Sequence, residues 1–177
     1  MRVGSLRSAT STARPVILNV IRHVSFGDWP MSHPTSPDSQ RLETVTQLNL
    51  TPEFKAQHSR LAGRNFSVAE LVIELTYQDG NITDDYIERF LTVDEIQAQW
   101  QHVSYLSDFV QHFALGQDFV EPGHLIPFAD TAAGCIYVAV GGAHSGSVYH
   151  SDNGDFGICR VADKLDVFIE YLAIPDL

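Results

Sequence analysis

Long apolar runs are missing from this sequence. A membrane-spanning helix needs roughly 20 consecutive apolar residues, and the longest apolar stretch near the start, residues 16–21, is broken by Asn19. That stretch is also too short and interrupted for a secretory signal peptide, and no clear small-residue cleavage site follows it. We therefore expect no membrane partner and a cytoplasmic location.

Cysteine is scarce, with only Cys135 and Cys159 among 177 residues. Two cysteines cannot form the disulfide framework of a small secreted domain. Both fall in segments whose patterns predict neighbouring strands. This favours two small buried thiols in a reducing compartment over a disulfide.

Motifs with metal-ligand spacing are also missing. No pair of cysteines or histidines has zinc-binding spacing, and the residues around 152–155 do not follow the order of a calcium-binding loop. Four potential ligands lie close along the chain, namely His144, His150, Asp152 and Asp155. We expect these to be solvated turn residues, and we predict neither a metal nor a cofactor.

Basic residues are few after the first 30 positions. The whole chain has 11 Lys and Arg against 22 Asp and Glu, a formal net charge of -11. Residues 1–30 have four arginines and one acid, which sum to +3, and residues 31–177 have 7 basic and 21 acidic residues, which sum to -14. The negative electrostatic field of residues 31–177 repels nucleic acid. It attracts a basic protein and speeds the encounter, although acidity by itself also promotes solubility.

The first 41 residues differ from the rest of the chain. They are rich in Ser, Thr and Pro and show no sustained periodicity, and residues 1–25 superficially fit a transit peptide because they contain arginine and serine but no acid. Met31 is the only methionine besides Met1. We expect residues 1–41 to be a disordered leader or the result of a start codon assigned too early, and residues 42–177 to form a single domain.

The pattern becomes regular from about residue 50. Pro and Glu after Thr51 predict a short helix over 51–59. Strict alternation over 71–77 predicts a strand, the turn signal at 79–81 reverses the chain, and a second strand is predicted over 86–91.

Two further helices are predicted in the second half of the chain. Thr92 and Glu95 form a capping box, and apolar residues at steps of three and four continue behind it to Phe113, which predicts a long core-facing helix. Asp163 is the candidate cap of a last helix, which Pro175 ends.

Between these helices the sequence predicts a meander of strands over residues 136–140, 147–151 and 156–161, with a tight Asn-Gly turn before the third. Strands and helices segregate without a repeated βαβ unit. The predicted fold class is therefore α+β, with an antiparallel or mixed sheet and helices packed mainly on one face.

Several segments of the second half follow one another in a recognisable order. Residues 125–130 read Leu-Ile-Pro-Phe-Ala-Asp and are followed by Gly134 and by Ile-Tyr-Val at 136–138. Val-Tyr-His-Ser-Asp follows at 148–152, and Val-Ala-Asp at 161–163 precedes the last predicted helix. In order and spacing these segments resemble the SUKH superfamily, the SMI/KNR-type domains of bacterial immunity proteins and yeast cell-wall regulators.

The resemblance is good over residues 120–172 and thinner over 50–119. The early helix of the family usually carries Leu-Pro, an acid and an aromatic, followed by an Asn-Gly-Gly turn. In this sequence residues 50–54 read Leu-Thr-Pro-Glu-Phe, and Gly-Arg-Asn at 63–65 stands where the turn is expected.

The resemblance implies a SUKH-like domain over 42–177 that binds protein and has no catalytic residue set. Bacterial members typically neutralise toxins, often nucleases, by direct binding. The first hypothesis is therefore an immunity module whose acidic groups complement a basic toxin domain. A regulatory or scaffolding module that binds a cellular protein is the second hypothesis, and a small hydrolase is a remote third.

Acidic residues around the two predicted hairpins are the candidate contacts with such a partner. Hairpin tips are exposed and loops commonly carry recognition, and interfaces favour aromatic anchors. The predicted partner-binding residues are Asp79, Asp84, Asp85, Tyr86, Glu88, Tyr149, Asp152 and Asp155. A merely solvated acidic rim is the alternative, and the sequence does not predict the oligomeric state.

Overall fold

The computed structural model describes residues 36–67, 70–76, 80, 82–100, 122–152 and 158–174. The chain divides into two units, Met1–His33 and Pro34–Leu177, and every described residue belongs to the second. Most of the expected leader, the expected continuation of the long helix beyond residue 100 and the predicted turn after residue 152 lie outside the described residues.

Two helices open the described part of the chain, α1 over Pro37–Thr46 and α2 over Pro52–Leu61. Both begin with proline, and the hydroxyls of Ser36 and Thr51 each accept a backbone N–H of the first turn. These hydroxyls satisfy donors that a helix start leaves unpaired. The helix predicted from residue 51 is confirmed.

Helix α1 lies partly inside the segment that we expected to be a leader, so the domain boundary expected at residue 42 is too late. Its start carries the usual signals, an N-cap serine followed by proline and Asp38. The body of the helix has few apolar residues, although Leu42 is completely buried. Hydrophobic periodicity was therefore too weak to predict it.

A six-stranded antiparallel sheet carries the fold, with its strands in sequence order. Its strands are β1 (Val72–Thr76), β2 (Ile82–Phe90), β3 (Leu125–Thr131), β4 (Gly134–Ala139), β5 (Val148–Asp152) and β6 (Ile158–Ala162). Each strand pairs with the next, and the first and last strands also approach each other. The sheet is therefore a curled meander, and the α+β class is confirmed.

Helix α3, over Val93–Trp100, follows β2 directly. It begins with the predicted capping box, in which the Thr92 N–H donates to the Glu95 carboxylate at 2.8 Å and the Glu95 N–H donates to the Thr92 hydroxyl at 3.4 Å. The backbone donation from Thr92 is the main reason that the pKa of Glu95 is lowered.

Helix α4, over Leu165–Tyr171, closes the described chain. Its N-cap is Lys164, and no side chain caps it. The cap predicted at Asp163 is wrong, because that carboxylate lies 3.1 Å from Arg160 Nη1 in an ion pair.

The main core lies on one face of the sheet, and a smaller buried cluster of Leu125, Ala139 and Tyr149 lies on the other. The alternation predicted over 71–77 is confirmed where the structure describes it, with Leu71, Ile73 and Leu75 buried and their neighbours exposed. All four described helices add apolar side chains to the main core, which places the helices mainly on that face. None of the described helices has the length and apolar character needed to cross a membrane.

Cys135 and Cys159 are both free and buried, as expected. They lie on β4 and β6, which β5 separates, so the expectation of neighbouring strands is wrong. Burial raises the pKa of each thiol to about 12. Both are therefore protonated and unreactive at neutral pH.

Strand β3 was not predicted from periodicity, and its burial explains why. Residues 125–129 are all buried, and a strand covered on both faces has no polar alternation. Pro127 lies inside it and cannot donate to the sheet, but the register against β4 shifts between Pro127 and Ala129. Such a bulge is a place where a strand tolerates proline.

Gly134, at the start of β4, is required by a close backbone approach. A Cβ at this position would lie 1.9 Å from the Ser151 carbonyl oxygen of β5. Backbone atoms of a central strand cannot move aside cheaply, so no other residue fits here without shifting the sheet.

We predict that Gly134→Ala lowers the free energy of unfolding by roughly 3 kcal/mol or more, because the added methyl group meets backbone. Gly123→Ala is the matched control, since a Cβ there contacts nothing within 4 Å and the change should stay within about 0.5 kcal/mol. Urea denaturation of both variants measures this. Equal stability of the two variants would contradict the close approach.

Candidate partner-binding face

The outer face of the β1–β2 hairpin, opposite the core, combines exposed apolar and acidic side chains. Directly opposed residues of an antiparallel pair point to the same face. The register places Val72 opposite Tyr86, Glu74 opposite Asp84, and Thr76 opposite Ile82. We call these six residues the hairpin face.

The middle row of the hairpin face consists of two carboxylates, Glu74 and Asp84, both exposed. Opposed Cβ atoms lie roughly 4.5–5.5 Å apart, and like charges in such a pair destabilise a sheet. No described lysine or arginine forms an ion pair with either carboxylate. The unbound protein therefore folds despite the Glu74–Asp84 row and gains no stability from it.

Apolar side chains flank the acidic row on both sides. Ile82 is 65% exposed and Val72 is 42% exposed, and Tyr86 is partly exposed. Alternate residues on one face of a strand are roughly 7 Å apart. The hairpin face thus presents two carboxylates between apolar groups within a span of about 14 Å.

Two basic side chains of the described residues, Arg41 and Lys55, are engaged on the helices. Arg41 lies 2.6 Å from Asp94 and joins α1 to α3, and Lys55 lies 2.7 Å from Glu43 and joins α2 to α1. The Lys55 ammonium is the main cause of the lowered pKa of Glu43. These cations neutralise carboxylates on the helices and leave the hairpin face anionic.

Glu88 lies at the border of the hairpin face. It is exposed, and the register of β2 against β3 shifts between Ile87 and Arg89 on either side of it. The neighbouring Arg89 is held by Asp130 at 2.6 Å, and that hydrogen bond raises the pKa of the guanidinium. Glu88 therefore has a cation beside it, whereas no described cation pairs with Glu74 or Asp84.

Asp85 was predicted as an exposed hairpin residue, and this expectation is wrong. Strand β2 begins at Ile82, earlier than predicted, so Asp85 lies within the strand opposite the inward-facing Ile73. Its side chain is only 3% exposed. Because successive residues of a strand face opposite sides, Asp84 and Tyr86 point outward while Asp85 points into the core.

The Asp85 carboxylate is satisfied by donors from three parts of the chain. Oδ1 accepts the Tyr86 N–H at 2.8 Å and the Ala133 N–H at 3.2 Å. Oδ2 lies 2.9 Å from His150 Nε2 on β5. These bonds supply the partners that a buried carboxylate requires.

His150 is completely buried, so the expectation of a solvated turn residue is wrong for it. Burial is the main cause of its lowered pKa, and Asp85 opposes that effect. The ring is therefore neutral near pH 7, and because Asp85 can only accept, Nε2 carries the proton. Nδ1 has no hydrogen-bond partner among the described residues.

Thr131 completes this buried group. Its hydroxyl oxygen lies 3.2 Å from His150 Nε2 and accepts the Gly134 N–H at 2.9 Å. A hydroxyl, histidine and carboxylate resemble a catalytic triad in composition. A triad, however, bonds the hydroxyl and the carboxylate to different ring nitrogens, whereas here one nitrogen faces both. We call Asp85, Thr131 and His150 the buried network.

The second predicted hairpin does not form one exposed site in the described residues. Tyr149 is 2% exposed, because β5 is a central strand and this side chain packs with Leu125 and Ala139. The expectation of an exposed Tyr149 is therefore wrong. Asp152 is partly exposed at the end of β5, and Asp79 and Asp155 lie outside the described residues.

Within the described ranges, no group of three or more His, Cys, Asp or Glu side chains is arranged to hold a metal ion. Of the ligands considered from the sequence, His144 is partly exposed in the β4–β5 loop, whereas His150 is enclosed in the buried network.

The chain was compared with families and with curated proteins. No family model matches it, and no curated protein matches it significantly. The resemblance to the SUKH superfamily therefore stays a prediction from the order of its segments.

We predict opposite effects for two adjacent substitutions. Asp85→Ala removes the charged acceptor of the His150 Nε2–H and of the Ala133 N–H, leaves the buried ring nitrogen only the more distant Thr131 hydroxyl, and should cost about 3 kcal/mol. Asp84→Ala relieves the like-charge row and should stabilise the protein by about 0.5 kcal/mol at low salt. Denaturant titration of both variants tests the assignment of inner and outer faces, and similar losses in both would refute it.

Proposed function

We propose that this chain is a protein-binding immunity module that neutralises a basic toxin domain by direct contact through the hairpin face. The observation that carries this proposal is the exposed Glu74–Asp84 row between apolar side chains. A local feature that opposes folding without an evident structural gain is typical of a functional site.

The chemistry of the hairpin face suits a basic protein surface. A partner lysine or arginine can lay its aliphatic stem on Val72, Ile82 or Tyr86 while its charged head meets the two carboxylates. Desolvated ion pairs at the centre of an interface have larger effects than exposed ones at the rim. The like-charge repulsion of the free protein is then relieved on binding.

The overall charge supports the same partner chemistry. Residues 31–177 carry a net charge of -14, from 7 basic and 21 acidic residues. Such a field steers a basic protein and raises the association rate by roughly 10- to 1,000-fold at low salt. A nuclease fits this description because its phosphate-binding surface is basic, and the SUKH resemblance suggests a toxin.

The geometry of the buried network favours binding over the alternative of a small hydrolase. Asp85, Thr131 and His150 are each at most 6% exposed, and a single ring nitrogen faces both oxygen atoms. A substrate would need access to the hydroxyl and a base that is free to take its proton.

The test is binding to the product of a toxin-like reading frame beside this gene. Glu74→Lys with Asp84→Lys should slow association roughly tenfold or more at low salt and flatten its salt dependence, because the steering charge is reversed. In co-expression the same variant should lose protection against the toxin. Stopped-flow association and cell survival measure the two effects.

The matched control is Glu53→Lys with Glu170→Lys, which makes the same charge change on two exposed residues of α2 and α4. This control should retain most of the association rate and full protection. If both double variants lose rate equally, only the overall charge matters and the hairpin face is not the site. A toxin that kills equally with and without the wild-type chain would rule out immunity.

A further inference from the structure

The hairpin face and the buried network share one strand. Asp84 and Tyr86 of the hairpin face are the immediate neighbours of Asp85 on β2. The Tyr86 N–H donates to the Asp85 carboxylate, and the Tyr86 carbonyl accepts the Ala132 N–H. The hairpin face is therefore connected to β5 through Asp85 and to β3 through the backbone ladder.

The network has no unsatisfied donor on the His150 ring only while His150 is neutral. Its Nε2–H lies 2.9 Å from Asp85 Oδ2, and no described group is within hydrogen-bonding distance of Nδ1. Acidification adds a proton to Nδ1, which creates a buried N–H donor without an acceptor. An unsatisfied buried donor costs roughly 1–3 kcal/mol.

Few ionisable groups face this ring from the described residues. Asp85 approaches from β2, Asp152 lies on β5 itself, and the Cys159 thiol is opposite on β6. Among the described residues, Ile136 of β4 and Thr131 of β3 also face the ring and add no charge. The Asp85 carboxylate favours a charged ring, but it offers no acceptor to Nδ1.

We propose that the buried network makes the hairpin face sensitive to acid, so that protonation of His150 opens the network and releases a partner bound to the hairpin face. The release of a partner rests on the proposed function, whereas the opening is a property of the free protein. Opening of the network breaks the contact between Asp85 and His150, which loosens the support beneath Asp84 and Tyr86.

The direction of the pH effect follows from the lowered pKa of His150. The open state takes up a proton as the pH falls below the ordinary histidine value of 6.5, and the closed state resists this uptake because the ring is buried. Acid therefore favours the open state. With one proton taken up, the opening equilibrium rises by up to about tenfold for each pH unit.

Hydrogen exchange of the free protein, followed by NMR, tests the opening. After correction for the intrinsic pH dependence of exchange, the protection of the Tyr86, Ala133 and Gly134 amides should fall roughly tenfold between pH 6.5 and about pH 5. His150→Gln keeps a donor for Asp85 but cannot take a proton, so its protection should not change with pH.

His58→Gln is the matched control. His58 is also buried, its pKa is also lowered chiefly by burial, and its Nε2 lies 3.1 Å from the Leu91 carbonyl rather than in the network. This variant should retain the acid response of the three amides. An acid response that disappears in His58→Gln, or that persists in His150→Gln, would overturn the proposal.

A second measurement applies even if His150→Gln does not fold. In the wild-type protein, the ring nitrogen signals of His150 should report protonation of Nδ1 over the same pH range in which the amides lose protection. Protonation with fully protected amides would overturn the inference. If the amides open as expected but no partner binds at neutral pH, the proposed function fails and the opening stands.

Discussion

The inward orientation of Asp85 determines which side chains of β2 face solvent and which face the core. A strand presents successive side chains to opposite faces, so the residue that points into the core determines which neighbours point to solvent. Hydrogen bonds from His150, Tyr86 and Ala133 hold the Asp85 carboxylate in place. With that residue held, Asp84 must face outward, directly opposite Glu74. The hairpin face and the buried network therefore lie on opposite sides of strand β2.

The distribution of charge follows a consistent pattern. Salt bridges join the helices to one another and β2 to β3, where they tie elements of the fold together. Surface ion pairs contribute little each, but none of those between described residues brings a cation to the Glu74–Asp84 row. Repulsion within that row is tolerable because the Phe54, Phe90 and Phe128 rings and their neighbours supply the stability of the core.

The sequence predicted those elements whose signals are local. The alternation over 71–77 reflects the burial of every second residue, and the capping box at Thr92 reflects hydrogen bonds between near neighbours. Both predictions are confirmed. Strand β3 has no alternation because it is buried on both faces, so periodicity missed it. The inward position of Asp85 could have been found by extending the alternation back from Ile87. Its partner could not, because sequence does not reveal that β5 brings a histidine to the same point.

We propose that a partner binds at the hairpin face. Hydrogen–deuterium exchange mass spectrometry of the chain alone and mixed with a candidate basic toxin domain tests this most directly. We predict slower exchange on binding in peptides that contain 72–76 and 82–88, with α2 and α4 unchanged. Slower exchange confined to the helices, with the hairpin unaffected, would contradict it.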